Sequence, residues 1–184
     1  IQRGTLLQAK GRYYTAAALL ADQKESGRYD NGSFLTLYLS PRHYHRIHAP
    51  CGGAIAKAVH LPGALLPVNA PSVAHVPDLF ARNERLLCYI DGPLGRVAVV
   101  AVGAYNVGRI SAAFDPEWQD PPTNQRRAVN DTHDYKPAKP IQAGEEIMAF
   151  HLGSTVVLLF EPRTKLSAQL QPGAEIRLGS LIAS

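Results

Sequence analysis

Short apolar runs separated by Gly, Pro, Asn and Asp set the rhythm of this chain. Thr15-Ala16-Ala17-Ala18-Leu19-Leu20-Ala21-Asp22 predicts a short helix, with Thr15 as its N-cap and alanines favouring the helix. Asp30-Asn31-Gly32-Ser33 predicts a turn, and Phe34–Leu39 a strand closed by Pro41. Ala54–His60 predicts another strand, ended by Pro62-Gly63, and Leu79–Asn83 a helical turn. Leu86–Ile90 and Val97–Val102 flank Asp91-Gly92-Pro93-Leu94-Gly95, a hairpin signal. Asn106–Ser111 predicts a further strand. From Asp115 to Pro140 the chain carries Pro116, Pro121, Pro122, Pro137 and Pro140 among polar residues, which predicts a long irregular loop. Apolar order returns on both sides of Gly153-Ser154, and Glu175–Leu178 and Leu181–Ala183 close the chain. This pattern predicts one mainly β (α+β) domain over residues 1–184, a β-sandwich of short antiparallel strands with a few short helices.

Composition narrows the function more than the fold. The chain has 184 residues, of which 46% are hydrophobic, enough for a real core. Its net charge of +4 favours an anionic partner such as a lipid head group. Arg126-Arg127 is the only basic pair in a loop, so a nucleic-acid partner is not expected. Cys51 and Cys88 are too few for a disulfide framework and sit among small or apolar residues, as packed free thiols do. No apolar run approaches the roughly 20 residues that span a bilayer as a helix. The chain opens at Ile1-Gln2-Arg3 without a methionine, and an upstream segment is expected.

The stretch Phe150-His151-Leu152-Gly153-Ser154-Thr155 carries the most suggestive chemistry. Glycine accepts backbone shapes that other residues resist and leaves its carbonyl open. A serine hydroxyl is a weak nucleophile until a base activates it. A strained Gly153–Ser154 bond beside a base can turn its amide into an ester, and elimination then breaks the chain. The dehydroalanine left at 154 hydrolyses to a pyruvoyl group, an electron sink that needs no external cofactor. The alternative is a plain Gly-Ser turn between two strands. His43, His45 and His48 are the nearest cluster of candidate bases. In an extended segment His43 and His45 share a face and His48 takes the other. A half-buried polar segment, a metal site at the spacing His-x-His-x-x-His, and a base for the Gly-Ser step all remain open at this point. No nearby Asp or Cys completes a metal shell. His60, His75, His133 and His151 are isolated in sequence.

Taken together, several segments resemble the phosphatidylserine decarboxylases. They are Leu39-Ser40-Pro41-Arg42-x-Tyr44-His45-Arg46-x-His48-x-Pro50 and Leu152-Gly153-Ser154-Thr155, with support from Leu7-Gln8-Ala9-Lys10-Gly11, Leu79-Phe80-Ala81-Arg82-Asn83-Glu84-Arg85 and Val102-Gly103-Ala104-x-x-Val107-Gly108. The resemblance implies a bacterial-type proenzyme that cuts itself between Gly153 and Ser154. Residues 1–153 then belong to the large subunit and 154–184 form the small one. It implies a pyruvoyl cofactor derived from Ser154, no metal, and conversion of phosphatidylserine to phosphatidylethanolamine through a Schiff base. It also implies that His48 is the base for self-cleavage and that His45 serves decarboxylation as a proton donor. The implied partners are phosphatidylserine, an anionic membrane surface, the two cleavage fragments and a homodimer mate. The implied location is peripheral, on the cytoplasmic face of the bacterial inner membrane.

Two departures from the family pattern stand out. Position 43 is normally aspartate, which would hold the charged form of His48, and His43 is expected to do this poorly. A second family aspartate and the membrane-touching N-terminal helices lie upstream of Ile1. These departures predict a largely unprocessed chain. A processing-impaired lipid- or partner-binding module, and a relative that decarboxylates a free amino acid, are the competing readings.

Overall fold

The computed structural model describes residues 1–9, 12–105, 110–119, 129–151 and 153–184. An amino-terminal hairpin, β1 (Thr5–Ala9) and β2 (Arg12–Thr15), leads into α1 (Ala16–Leu20). Thr15 caps that helix, accepting the Ala18 N–H at 3.0 Å. Helix α2 (Gln23–Ser26) and a 3₁₀ turn (Gly27–Tyr29) precede β3 (Ser33–Tyr38). The chain continues through β4 (Arg46–His48), β5 (Gly53–Leu61), α3 (Ala70–His75) and α4 (Leu79–Arg82). The β6 (Arg85–Gly92) and β7 (Gly95–Val102) hairpin follows, then β8 (Ile110–Ala112), α5 (Pro116–Gln119) and β9 (Asp131–Ile141). Strands β10 (Glu146–Phe150) and β11 (Thr155–Phe160) complete the sheets.

The strands form a six-stranded antiparallel sheet, ordered β3-β11-β7-β6-β5-β9, and a three-stranded one, ordered β4-β10-β8. Every residue of β11 is buried, as are Arg85–Ile90 of β6 and Val97–Val102 of β7. That is why these segments read as continuous apolar runs rather than alternating ones. Both faces of the sheet centre are covered, so each side chain is removed from water. The mainly β expectation holds, with short helices packed around the sheets.

The hairpin closes as expected, since Gly92 pairs with Gly95 and leaves Pro93-Leu94 as a two-residue turn. Arg85 is buried, and among the described residues it has no carboxylate partner. Its guanidinium donates instead to the carbonyls of Leu19, Ala18 and Asn83, at 2.6, 2.9 and 2.9 Å, and ties α1 to the sheet. Burial brings its pKa down to about 10. Cys51 and Cys88 are buried free thiols, and burial pushes both pKa values up.

One expectation fails. The segment from Asp115 to Pro140 is not an irregular loop where it is described, because it contains α5 and the eleven-residue edge strand β9. A strand at a sheet edge needs ladder bonds on one side only, so Pro137 and Pro140 fit there. The register jumps from Lys139 opposite Ile55 to Asp134 opposite Lys57, which absorbs Pro137. Asp115 fastens the two elements together, accepting from His133 Nδ1 at 2.7 Å and from the Tyr135 hydroxyl at 2.5 Å. Trp118 stacks on the His133 ring at 4.1 Å. The predicted strand at Asn106–Ser111 is seen from Ile110 onward, and its first four residues lie outside the described ones.

Candidate active site at the sheet crossing

Three chain segments pass between the two sheets at one place. Strands β3 and β7 flank β11 in the larger sheet, and β4 and β8 flank β10 in the smaller. The connections β3→β4, β7→β8 and β10→β11 therefore cross side by side. Gly153 and Ser154 lie in the last of these. They are not the tip of a tight hairpin turn, because β10 and β11 pair with different neighbours and not with each other.

Gly153 is required by closeness. A Cβ there would stand 2.6 Å from the Leu39 carbonyl oxygen, 2.6 Å from the Pro41 nitrogen and 2.7 Å from the Ser40 carbonyl carbon. All three are backbone atoms of the β3→β4 crossing, so no side-chain rotation makes room. Ser154 is fully buried. Its carbonyl accepts the Leu39 N–H at 2.7 Å, and its hydroxyl donates to the Val102 carbonyl in a very short bond. The Gly153-Ser154 pair is thus gripped by the two neighbouring crossings.

The three histidines of the β3→β4 crossing have separate partners. His43 Nδ1 accepts the Ser40 N–H at 3.2 Å, while the His43 N–H donates to the Ser40 carbonyl at 2.9 Å. His45 Nε2 donates to that same Ser40 carbonyl at 2.9 Å. Both rings therefore brace the peptide that presses on Gly153, although His43 and His45 do not lie in a strand. His48 lies on β4, opposite Glu146 of β10. Its Nδ1 donates to the Gly144 carbonyl at 2.7 Å, and its Nε2 accepts the Tyr44 hydroxyl at 2.9 Å. The Tyr44 ring stacks over it at 5.6 Å. The imidazole is held in the tautomer with a lone pair on Nε2, the form a general base needs.

These contacts describe the surroundings of position 43. His43 faces its own turn and not His48, and the Gly144 carbonyl supplies the orienting acceptor that a carboxylate was expected to supply. The rings of His43, His45 and His48 bond different partners, the Ser40 N–H, the Ser40 carbonyl and the Gly144 carbonyl respectively. Two histidines that look isolated in sequence are paired, His60 with Glu84 at 3.0 Å and His133 with Asp115. His75 bonds the Pro71 carbonyl, and His151 is exposed. Sequence reasoning gave no role to Tyr44, Val102 or Gly144. Tyr44 and Val102 lie within the family-like segments 39–50 and 102–108, whereas a backbone carbonyl such as that of Gly144 leaves no residue-type signal.

A family model described as phosphatidylserine decarboxylase matches residues 1–184. The chain belongs to the phosphatidylserine decarboxylase family. The phosphatidylserine decarboxylase proenzyme of Anaeromyxobacter sp. (strain K) is 48% identical over 180 residues, covering 97% of this chain and 63% of that protein. The proenzyme of Myxococcus xanthus (strain DK1622) is 45% identical over 180 residues, covering 97% and 62%. That of Acidovorax ebreus (strain TPSY) is 44% identical over 189 residues, covering 100% and 64%. The chain thus spans a little under two thirds of the length of the curated relatives it matches. Within the family motifs, Lys10, Gly11, Val107, Gly108 and Leu152 lie outside the described residues. Membership in the phosphatidylserine decarboxylase family favours neither the binding-module reading nor the free-amino-acid reading.

Proposed function

We propose that the protein cleaves itself between Gly153 and Ser154 and then decarboxylates phosphatidylserine to phosphatidylethanolamine. The observation that carries this reading is the family match over residues 1–184, which falls on a glycine–serine pair gripped from both sides. The Ser154 hydroxyl leaves the Val102 carbonyl and gives its proton to His48 Nε2, once Tyr44 has released that nitrogen. Ser154 Oγ attacks the Gly153 carbonyl carbon, the C–N bond breaks, and the proton passes to the departing nitrogen of residue 154. Loss of the Cα proton then breaks the Cβ–O bond and frees the Gly153 carboxylate. Water replaces the nitrogen of the resulting dehydroalanine, and ammonia leaves.

Ser154 fits the pyruvoyl role because it is buried at the head of a central strand, where a ketone is kept from bulk water. When present, a pyruvoyl group supplies a carbonyl that condenses with the substrate amine and draws off the electrons released with carbon dioxide. His45 serves the second reaction by holding a proton at Nε2, beside the Ser40 peptide that touches Gly153. Residues 1–153 and 154–184 are the subunit portions. Among the described residues no helix is long and apolar enough to cross a membrane. A net charge of +4 supports peripheral binding to an anionic surface, such as the cytoplasmic face of the bacterial inner membrane.

Mass spectrometry of the purified protein tests the first step. The expected result is a small fragment that starts at position 154 with a blocked, ketone-bearing end. Ser154→Ala is expected to abolish both cleavage and carbon dioxide release from phosphatidylserine. Normal decarboxylation by that variant would refute the mechanism.

A further inference from the structure

The carbonyl that holds the Ser154 hydroxyl is followed by a glycine, Gly103, whose own carbonyl is held by the side chain of Asn83. Strand β7 ends at Val102, where its ladder bonds to β11 and β6 stop. Beyond that point, Gly103 is tied on both sides. Its N–H donates to the Glu84 carbonyl at 2.7 Å, and its carbonyl accepts Asn83 Nδ2 at 2.8 Å. The Val102 carbonyl and the Gly103 N–H belong to one planar peptide unit, which the Glu84 carbonyl orients, and Asn83 holds the adjoining unit at the Gly103 carbonyl, so that Gly103 is anchored on both sides of its Cα.

Asn83 is fully buried at the end of α4. Its second amide hydrogen goes to the Leu66 carbonyl at 2.8 Å, and its oxygen accepts the Leu66 N–H at 3.1 Å. Both donors and the acceptor are engaged, so the side chain has one orientation. A buried amide is costly to leave unsatisfied, and a fully bonded one specifies a single geometry. We propose that Asn83 is a positioning residue for self-cleavage, which through Gly103 aims the Val102 carbonyl and so sets where Ser154 Oγ sits relative to the Gly153 carbonyl. The proposal rests on the self-cleavage reading above.

Asn83→Asp keeps the size and the acceptor of the side chain and removes its donors, setting an oxygen against the carbonyls of Leu66 and Gly103. A displacement on the order of 1 Å at a reacting atom can cost about 10²-fold in rate. The intact Asn83→Asp protein is therefore expected to cleave about tenfold to a hundredfold more slowly. Ile90→Ala, at the far end of β6, serves as a control matched in Tm loss and is expected to cleave at the parent rate. Equal slowing in the matched control, or no slowing in Asn83→Asp, would overturn the proposal.

A second readout does not need cleavage. Labelling valine carbonyls with ¹³C and glycine nitrogens with ¹⁵N marks only the Val102–Gly103 and Val107–Gly108 peptides. In a His48→Ala precursor, adding Ser154→Ala should move the Val102–Gly103 signal, and adding Asn83→Asp should move it as well. An unmoved signal in the Asn83 variant overturns the clamp. If the parent never cleaves, the functional reading fails, and this spectrum alone decides the clamp, with a moved signal supporting it and an unmoved one overturning it.

Discussion

Each histidine of the β3→β4 crossing is defined by the atom it bonds. His48 is the ring whose Nδ1 proton is donated to a backbone carbonyl and whose Nε2 lone pair accepts a tyrosine hydroxyl. His45 keeps its proton on the nitrogen nearest the Ser40 peptide. Accordingly, His48→Ala is expected to leave the chain uncut, while His45→Ala is expected to cut and then turn over about 10²–10⁴-fold more slowly. Gel analysis beside a carbon dioxide assay on each purified variant checks this, and equal cleavage in the two would undo the division of roles. His43 behaves as a turn cap: its Nδ1 accepts an N–H three residues back, which a carboxylate accepts equally well. His43→Asp is therefore expected to cleave at the parent rate in a timed gel assay. A marked acceleration would mean that position 43 reaches His48 after all.

At the scale of the elements, legibility followed burial. Strands β6, β7 and β11 could be read because both their faces are covered and their sequences are nearly unbroken apolar runs. Helix α1 could be read because Thr15 stands where a cap must. Strand β9 could not, since an edge strand is held by backbone bonds to one neighbour and tolerates the prolines and polar residues that signal a loop. The clasp between β9 and α5 gives that hidden element a measurable signature. Burial alone would raise the Asp115 pKa, but the bonds from Tyr135, His133 and the Glu117 N–H outweigh it, and the carboxyl lies below its ordinary value. A group depressed in the folded state adds stability above its unfolded pKa and loses it as the pH falls through its folded one. Below about pH 4 the parent should therefore lose stability more steeply than Asp115→Asn. Acid unfolding followed by circular dichroism checks this. Parallel curves for the two proteins would leave the clasp without energetic weight.

For the whole molecule, the sequence pointed to the Gly153-Ser154 pair and the histidines, because residue type carries that chemistry. It could not reveal that three segments cross between two sheets there, since topology depends on which strands pair and not on any one residue. That topology would also govern the fate of the two fragments of the proposed cleavage. The fragment from 154 onward begins with β11, every residue of which is buried, between β3 and β7 of the other fragment. The two fragments are expected to elute together from a sizing column and to separate only in denaturant, and separation under native conditions would contradict this topology. A fresh chain end ordinarily frays and samples many orientations. The end created at Ser154 would instead be born one residue ahead of the strand that carries it through the middle of the sheet. Its freedom would already be spent when the precursor folds, so the ketone would meet its substrate with no ordering entropy left to lose.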